Sequence, residues 1–394
     1  MGELRQPVWL KPEEVPPLPE GWRAMPTEEA CVQFKPGKLF ETKTVSEHGA
    51  VPVLSQSETD FLGYHDEEPG VDASPEKPVV TFANHTCAMR LIKQPFSTIQ
   101  NIFPKVGKPG VTETVYFYYA SLGRVGLSDY KGHHPIFRQA YIPIPPLPVQ
   151  RRIAGILSAY DELMENSQRR IRLLEAMARA LYREWFVHFR FPGHEKHPHV
   201  ASPLGDIPQG WEVKKLGEVA EITMGLSPKG NTYNEEEDGT PLVNGPVEFG
   251  ERFTKAVKWT TAPTKFCKKG DLVVCVRGST TGKYVKSDGV YCLGRGVCGL
   301  SSKYQCFVDL LFENELSTLL GQTSGSTFPS WTGPQLKNHP VLSPPPELLA
   351  RFEDAAAPMA EQALALQRKI QNLRQTRDLL LPRLLSGQVN LAEN

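Results

Sequence analysis

The fold is decided by a helical sequence that occurs twice, first as RRIRLLEAMARALYREWF at residues 169–186 and again as RKIQNLRQTRDLLLPRLL at residues 368–385. The copies lie 199 residues apart (368 minus 169), and identical residues coincide at this spacing, as in Ile171 and Ile370. Similarity at a fixed long spacing is typical of a structural unit that the chain builds more than once. We therefore expect a duplicated chain.

The segments around the helices repeat in the same order. The Pro-rich sequence IPIPPLPVQRRI (142–153) returns as VLSPPPELLARF (341–352), and LPEGWRA (18–24) returns as IPQGWEV (207–213). Each half thus reads Gly-Trp, strand-rich block, Pro-rich turn and long helix. Chance similarity between two helical sequences is the alternative, and the shared order of four features disfavours it.

Both repeated helices carry apolar residues at alternating steps of four and three. This spacing predicts a coiled coil, about 60 Å long for some 40 residues at 1.5 Å each. Ser167 and Arg377 interrupt the seam, and Pro358 predicts that the second helix starts or kinks near that residue. Two separate surface helices are the alternative. The predicted seam residues are Leu157, Met164, Ile171, Leu174 and Leu181 in the first helix, and Leu366, Ile370, Leu373 and Leu380 in the second.

Between each Gly-Trp and the prolines, the sequence favours short strands. The runs VPVL (51–54), PVVTF (78–82) and VYFYY (115–119) are β-branched or aromatic and are bounded by turn residues. DLVVCVRGS (271–279) and GVYCL (289–293) have the same character in the second half. Each block predicts one mixed, mostly β domain.

Composition excludes several classes of protein. With 40% hydrophobic and 22% charged residues among 394, the chain is typical of globular proteins. Lys+Arg and Asp+Glu both number 44, so the whole chain is not a polycation. The seven cysteines form no CxxC pair, and no apolar run predicts a secretion signal or a membrane span. We expect a reduced, cytoplasmic protein.

Catalytic motifs are incomplete wherever they begin. GRGVCG (294–299) matches GxGxxG but lacks the following helix and acidic residue, so we predict a turn between strands. GSTTGK (278–283) is one residue shorter than a phosphate loop, although its amides can hold a phosphate oxygen. The four histidines within 188–199 lack a completing ligand set, so we predict no metal site and a hydrated hinge there. Without a GxSxG, HExxH or Asn-Pro-Pro-aromatic motif, we predict no catalytic residue.

Basic residues are concentrated in comparable places of the two halves. Residues 77–112 contain five Lys/Arg and no acidic residue, and residues 251–286 contain nine Lys/Arg against two acidic residues. Such segments on β-rich domains suit phosphate neutralisation and base-edge contacts, although a solvated basic loop is the alternative for either one alone. The predicted DNA-binding residues are Asn84, His85 and Arg90 in the first half, and Arg277, Ser279, Thr280, Lys283 and Arg295 in the second.

These features together resemble the specificity (S) subunits of type I restriction–modification systems. The resemblance rests on the starts PEGW (19–22) and PQGW (208–211), on the Pro-rich exits, and on LLSGQVNL (384–391) after the closing helix. TFANHTCAMR (81–90) and LGRGVCGL (293–300) are similar to strands and loops of target recognition domains.

The resemblance implies an α+β fold with a pseudo-two-fold internal repeat. Two mixed, mostly β target recognition domains would be joined by two long antiparallel coiled-coil helices and would each recognise half of a bipartite DNA site. Modification subunits, two by expectation, and restriction subunits would be the partners. S-adenosylmethionine and ATP would bind those subunits, and this non-enzymatic chain would carry no cofactor.

The implied domains follow the repeat. They are target recognition domain 1 (1–148), helix 1 (149–190), a linker (191–206), target recognition domain 2 (207–346), helix 2 (347–388) and a tail (389–394). Two other functions remain open from the sequence. One is a coiled-coil scaffold without DNA specificity, and the other is a self-contained methyltransferase or nuclease, which the missing motifs disfavour.

Overall fold

The structure is a computed structural model that describes residues 6–57, 60–127, 132–323, 329–389 and 391. Its α-helices are α1 (Thr27–Ala30), α2 (Thr114–Ser121), α3 (His134–Gln139), α4 (Leu147–Tyr182), α5 (Leu216–Val219), α6 (Gln305–Gly321), α7 (Gly333–Asn338) and α8 (Pro346–Leu385). The strands up to α4 are β1 (Arg23–Pro26), β2 (Cys31–Gln33), β3 (Val51–Leu54), β4 (Phe61–His65), β5 (Val79–Ala83), β6 (Met89–Ile92), β7 (Ser97–Thr98), β8 (Ile102–Gly107) and β9 (Tyr141–Ile144). Those after α4 are β10 (His199–Ser202), β11 (Gly205–Pro208), β12 (Glu212–Lys215), β13 (Glu221–Met224), β14 (Tyr233–Asn234), β15 (Thr240–Val243), β16 (Lys258–Thr260), β17 (Phe266–Cys267), β18 (Leu272–Cys275), β19 (Tyr284–Lys286), β20 (Tyr291–Leu293), β21 (Val297–Ser301) and β22 (Pro340–Ser343).

The chain divides into two compact units. Unit 1 comprises Met1–Gln168 and Gln367–Asn394, and unit 2 comprises Arg169–Leu366. Unit 1 therefore contains the beginning of α4 and the end of α8, whereas unit 2 contains the end of α4 and the beginning of α8.

The sheets of the two units have the same strand order. In unit 1 the larger sheet runs β2-β8-β5-β6, and in unit 2 the corresponding sheet runs β13-β21-β18-β19, with antiparallel neighbours throughout. Each unit has a second sheet that contains one parallel pair, β3 with β7 or β15 with β20. The predicted mixed class of the fold, with long helices, is confirmed.

The repeated Gly-Trp and Pro-rich segments have a common structural reason. Trp22 and Trp211 immediately precede β1 and β12, and these strands pair with β9 and β22, which lead into the long helices α4 and α8. A proline near the start of each helix is favourable because the first helical N–H groups have no intrahelical acceptor.

Most predicted strands are confirmed, but one is a helix. VPVL is β3, and the cores of three other predicted runs are β5, β18 and β20. VYFYY, in contrast, forms α2, where the Glu113 side chain accepts a hydrogen bond from the Tyr116 amide at 2.6 Å. Burial of Tyr116, Phe117 and Tyr119 against the domain core outweighs the local strand preference of aromatic residues.

The second long helix begins twelve residues before Pro358, so a start near that proline is wrong, and the alternative of a kink there stays a prediction. Pro346 occupies its first turn, where no donor is needed. Pro358 deprives the Asp354 carbonyl of its helical partner. Both residues are exposed, so water can take the place of the lost donor.

In unit 1, α4 and α8 pack side by side along their apolar faces. Ile153 and Leu157 of α4 share a buried cluster with Leu381 and Leu384 of α8. Each such buried side chain contributes about 1.5–3 kcal/mol relative to exposure. Further along the chain, Met164 is also buried. This core continues into the recognition domain without a break, because β5, α2 and β9 contribute to the same cluster.

In unit 2, an aromatic cluster lies where α4 ends and α8 begins. The ring of Phe186 lies 4.9 Å from those of Phe307 and Phe352, which belong to α6 and α8.

The remaining predicted seam positions of both units are buried or half-buried. Ile171, Leu366 and Ile370 are buried, and Leu174, Leu181, Leu373 and Leu380 are half-buried.

The segment predicted as a hydrated linker begins inside a core. Phe191 is buried against Trp211, with ring centroids 5.8 Å apart, and His194 contacts the Phe191 carbonyl at 2.9 Å. In the described ranges, no three His, Cys, Asp or Glu side chains are placed to share a metal ion. Nor does any described helix combine the length and apolar character that crossing a membrane requires.

Candidate nucleic-acid interface

Two turns meet at one end of the four-stranded sheet β13-β21-β18-β19 in unit 2. The end of β18 lies beside the start of β21, which brings the turn 276–282 next to the turn 294–296. The Val276 amide donates to the Gly296 carbonyl at 2.9 Å and holds the turns together. The prediction that GRGVCG begins with a turn between strands is confirmed.

A third loop, residues 225–229, joins these turns. The Leu226 amide donates to the Leu293 carbonyl at 2.8 Å, and the Arg295 amide donates to Ser227 Oγ at 3.1 Å. Three chain segments from distant parts of the sequence thus form one continuous surface.

The residues predicted in the second half all lie on this surface. Arg277, Ser279, Lys283 and Arg295 are exposed and Thr280 is half-exposed, while Lys229, which the sequence analysis missed, is exposed beside them. Among the described residues, none of these four basic side chains forms an ion pair. Unpaired, solvated guanidinium and ammonium groups remain available for phosphates and base edges.

The glycines of the 294–296 turn are required by close packing. A Cβ atom on Gly294 would lie 1.7 Å from Asn244 Oδ1, and one on Gly296 would lie 2.1 Å from the Asn244 carbonyl oxygen. Glycine therefore lets the turn close over the residue that follows β15. This packing explains the GxG pattern without a dinucleotide.

The thiols beneath this surface are chemically quiet. Burial raises the pKa of Cys275 to about 11 and that of Cys298 to about 12. At neutral pH both remain protonated, and a protonated thiol is a poor nucleophile and a poor metal ligand. Neither thiol therefore supplies this surface with a thiolate at neutral pH.

Unit 1 has the corresponding turn, residues 84–87, between β5 and β6. The Asn84 amide donates to the Asn101 carbonyl at 2.9 Å, which matches the bond that joins the two turns in unit 2. Cys87 adopts a φ of 58°, and Gly282 adopts 91° at the equivalent end of its turn. The turn in unit 2 is three residues longer and otherwise similarly placed.

Gln56 holds the loops of unit 1 together. Its Nε2 donates to the Gln100 carbonyl at 3.1 Å, its carbonyl accepts from Thr86 Oγ1, and its Oε1 accepts from the His85 amide at 3.4 Å. His85, Thr86, Gln100 and Asn101 are exposed around it.

Asn84 faces inward and supports the turn. Its Oδ1 accepts from the His134 amide at 2.9 Å, and its carbonyl accepts from the His133 amide at 3.0 Å. These bonds satisfy donors at the start of α3, where helix amides lack internal partners.

Arg90 is also inside the domain. It is only 9% exposed, its Nε donates to the Ser57 carbonyl at 2.9 Å, and Nη2 donates to the Asp60 carbonyl at 2.7 Å. The guanidinium lies 5.5 Å from the Phe61 ring centroid. These contacts favour a role in fixing the backbone at Ser57 and Asp60 over direct contact with a base.

Buried Lys105 of β8 lies beside half-buried His134 of α3. Lys105 Nζ contacts Gln33 Oε1 at 2.5 Å and His134 Nε2 at 3.0 Å. Burial lowers the pKa of Lys105 to about 8, and burial together with Lys105 lowers the pKa of His134 to about 4. Neutral His134 can therefore accept from Lys105 at physiological pH.

Comparisons with known proteins agree with this geometry. The family model described as the type I restriction modification DNA specificity domain matches the chain twice, over residues 19–176 and 208–348. The chain belongs to this family. The predicted family is therefore confirmed. The chain is classed as a DNA-specificity protein rather than as an enzyme.

Several specificity subunits of Methanocaldococcus jannaschii are similar to the chain. That of type I restriction enzyme MjaIX is 24% identical over 328 residues, which cover 77% of this chain and 75% of the relative. Relatives named for MjaX and MjaVIII are 31% and 30% identical over 52% and 38% of this chain. Those two matches span only 44% and 36% of the relatives' own lengths.

A crystal structure shares the fold. The S subunit of a type I system from M. genitalium superposes with a TM-score of 0.62 at 15% identity, over 92% of this chain and 96% of that one.

Proposed function

We propose that the chain is the DNA-specificity subunit of a type I restriction–modification complex in the cytoplasm. Each recognition domain would bind one half of a bipartite DNA site. The observation that carries this proposal is the double match to the specificity-domain family. Each half also has two corresponding turns at the same end of an equivalent sheet, after β5 and before β8 in unit 1 and after β18 and before β21 in unit 2. Two equivalent binding surfaces in one chain suit a site made of two halves.

The surface of unit 2 has the chemistry of base and phosphate contacts. Arg277 and Arg295 carry planar guanidinium groups that suit the two acceptors of guanine in the major groove. Ser279 and Thr280 can donate or accept at base edges, and Lys283 suits a phosphate.

The surface of unit 1 relies on neutral polar groups. His85, Gln100 and Asn101 carry the exposed donors and acceptors, and Gln and Asn side chains pair well with adenine in the major groove. Asn84 and Arg90 fix the loops that carry these groups.

The long helices would form an antiparallel coiled coil within a pseudo-two-fold internal repeat. Two contacts in unit 1 support the antiparallel direction of the helices. Arg152 of α4 donates to the carbonyl of Leu391, which follows α8, and Asp161 of α4 accepts from Arg377 of α8. A coiled coil of fixed length would set the gap between half-sites.

The partners and cofactors follow from this role. Modification subunits, two for two equivalent units, would dock on the chain and carry S-adenosylmethionine, and restriction subunits would use ATP. This chain itself would hold no cofactor and no metal.

Mapping methylated adenines in DNA tests the proposal. The chain is expressed with the modification subunit of its own host in a strain that lacks other adenine methylation. We expect one bipartite sequence with a fixed gap to be methylated only when both proteins are present. Methylation that is unchanged without the chain, or that shows no bipartite sequence, would contradict the proposal.

A further inference from the structure

Arg377, which occupies an apolar seam position of α8, makes an ion pair across the helices of unit 1. Its Nη1 lies 2.5 Å from Asp161 Oδ1 of α4, and its Nη2 lies 2.7 Å from Asp378. Burial opposes the guanidinium charge, but the two carboxylates outweigh burial and raise the pKa of Arg377. The charged residue in the seam is therefore paired.

The second oxygen of the same carboxylate is bound by the recognition domain. Tyr119 of α2 donates its hydroxyl to Asp161 Oδ2 at 2.6 Å, and its side chain is almost fully buried. Asp161 thus joins three elements: the domain helix α2 and both long helices.

Stability alone does not explain this arrangement. The pair is partly buried, with 17% of the Arg377 side chain and 31% of the Asp161 side chain exposed. Replacement of an ion pair removed from water by apolar residues of similar volume is often neutral or stabilising, because two charges need not be desolvated. Polar groups at seam positions are better known for fixing register and orientation. A Tyr–Asp–Arg chain between a domain and its helix pair suits that second role.

Unit 2 lacks the Asp and the Arg at the equivalent helix positions, and Arg252 of its domain instead pairs with Glu175 of α4 at 2.7 Å. At the spacing of 199 residues, Asp161 corresponds to Ala360 and Arg377 corresponds to Ala178. Both alanines line an apolar crevice of about 720 Å³ between the helices and the domain of unit 2. The corresponding crevice of unit 1, which Tyr119 and Asp161 line, measures about 380 Å³.

We propose that Tyr119, Asp161 and Arg377 are positioning residues that fix the orientation of recognition domain 1 on its helix pair and thereby enforce the gap between half-sites. This proposal rests on the proposed function. One extra base pair in the gap moves a half-site by about 3.4 Å along the DNA and about 35° around it. A domain that cannot tilt on its helices rejects such a site, whereas a domain that can tilt accepts it.

Tyr119→Phe is the sharpest test, since it removes one hydroxyl and keeps the buried ring. The complex with the host's modification subunits methylates duplexes that carry both half-sites at the native gap, or at a gap one base pair shorter or longer. We expect the native-gap rate to stay within about twofold, while the relative rate on the altered gaps rises by about fivefold or more, as loss of a hydrogen bond to a charged group permits. Tyr182→Phe is the matched control, because Tyr182 is buried in unit 2 and its hydroxyl makes no hydrogen bond among the described residues.

The double variant Asp161→Leu with Arg377→Leu separates positioning from stability. We expect unchanged or higher thermal stability together with the same relaxed gap. An unchanged ratio between altered and native gaps in both variants, or an equal loss of rate at every gap, would overturn the positioning role. A wild-type complex that shows no bipartite specificity would instead overturn the proposed function itself.

Discussion

The two recognition turns share a scaffold and differ in chemistry. Residues 84–87 and 276–282 connect equivalent strands, and the same type of hydrogen bond ties each turn to its neighbour. The turn in unit 1 is short, is held by Gln56, and presents neutral side chains. The turn in unit 2 is three residues longer and presents Arg277 among other basic residues.

In both units the sheet therefore determines where the turn lies, and the residues of the turn determine which chemical groups are exposed there. Charged contacts depend on salt, because binding releases counterions from DNA, whereas neutral base-edge contacts depend on it less. We expect unit 2 to supply more of the salt-dependent affinity and unit 1 to supply proportionally more base-edge contact.

The largest effect is expected from Arg277→Ala. Loss of a two-pronged base contact costs about 1–3 kcal/mol of discrimination, so methylation of the native site should fall about tenfold and one position in a single half-site should relax. Genome-wide mapping of methylated adenines measures both. Lys337→Ala is the control, since Lys337 is exposed and its side chain lies beside Gly217 of α5 in unit 2. Relaxation in both half-sites would contradict the assignment of one half to each unit.

Gln56→Ala should produce a smaller effect in the other half-site. The substitution releases the 84–87 turn from its neighbours, so we expect about a fivefold loss of methylation and altered preference only in the half-site that unit 1 recognises. Gln139→Ala, an exposed residue on α3, serves as the control. An altered preference in the half-site that Arg277→Ala relaxes would refute the assignment of one half-site to each unit.

Asn84→Ala tests whether Asn84 stabilises the fold of unit 1, rather than whether it contacts DNA. Because Asn84 Oδ1 accepts from the first amide of α3, its loss should lower the free energy of unfolding by about 1 kcal/mol, as is typical of lost helix caps. Urea unfolding of the chain measures this change. Asn84→Asp keeps the acceptor and should restore most of the stability. Equal stability of all three proteins would show that the bond contributes little.

The sequence predicts the repeated elements of the fold well. Heptad spacing finds both long helices, because a seam has a strong period that few other structures share. The strand predicted for VYFYY is wrong, because this segment has a local preference for strand and only its burial makes it the helix α2. The predicted start of α8 near Pro358 is wrong, because a proline on an exposed face of a long helix costs less free energy than loss of the helix on either side of it.

The candidate site is predictable only where a residue lies on a recognisable turn. Arg277 and Arg295 follow from Gly-rich turns between predicted strands, and the structure brings them together. Gln56 follows a predicted strand directly and offers a usable signal, whereas Gln100 and Asn101 depend on the pairing of β5 with β8. Arg90 cannot be told from an exposed arginine by sequence, because only the fold shows which carbonyls surround it.

The smallest expected effect is on the pH dependence of thermal stability, through His134 next to the turn of unit 1. His134 begins the helix that Asn84 caps in unit 1, and burial holds its pKa near about 4 against an ordinary value of 6.5. The unfolded chain therefore binds this proton first as the pH falls, so the contribution of neutral His134 to stability is present above pH 6.5 and is lost towards pH 4. His134→Gln, which retains an acceptor for Lys105, should flatten the fall in Tm between pH 7.5 and pH 5 by about 2–4 °C. His48→Gln, at an exposed position in the same unit, should leave that fall unchanged. If both variants follow the wild-type curve, the contact between His134 and Lys105 does not govern the acid stability of unit 1.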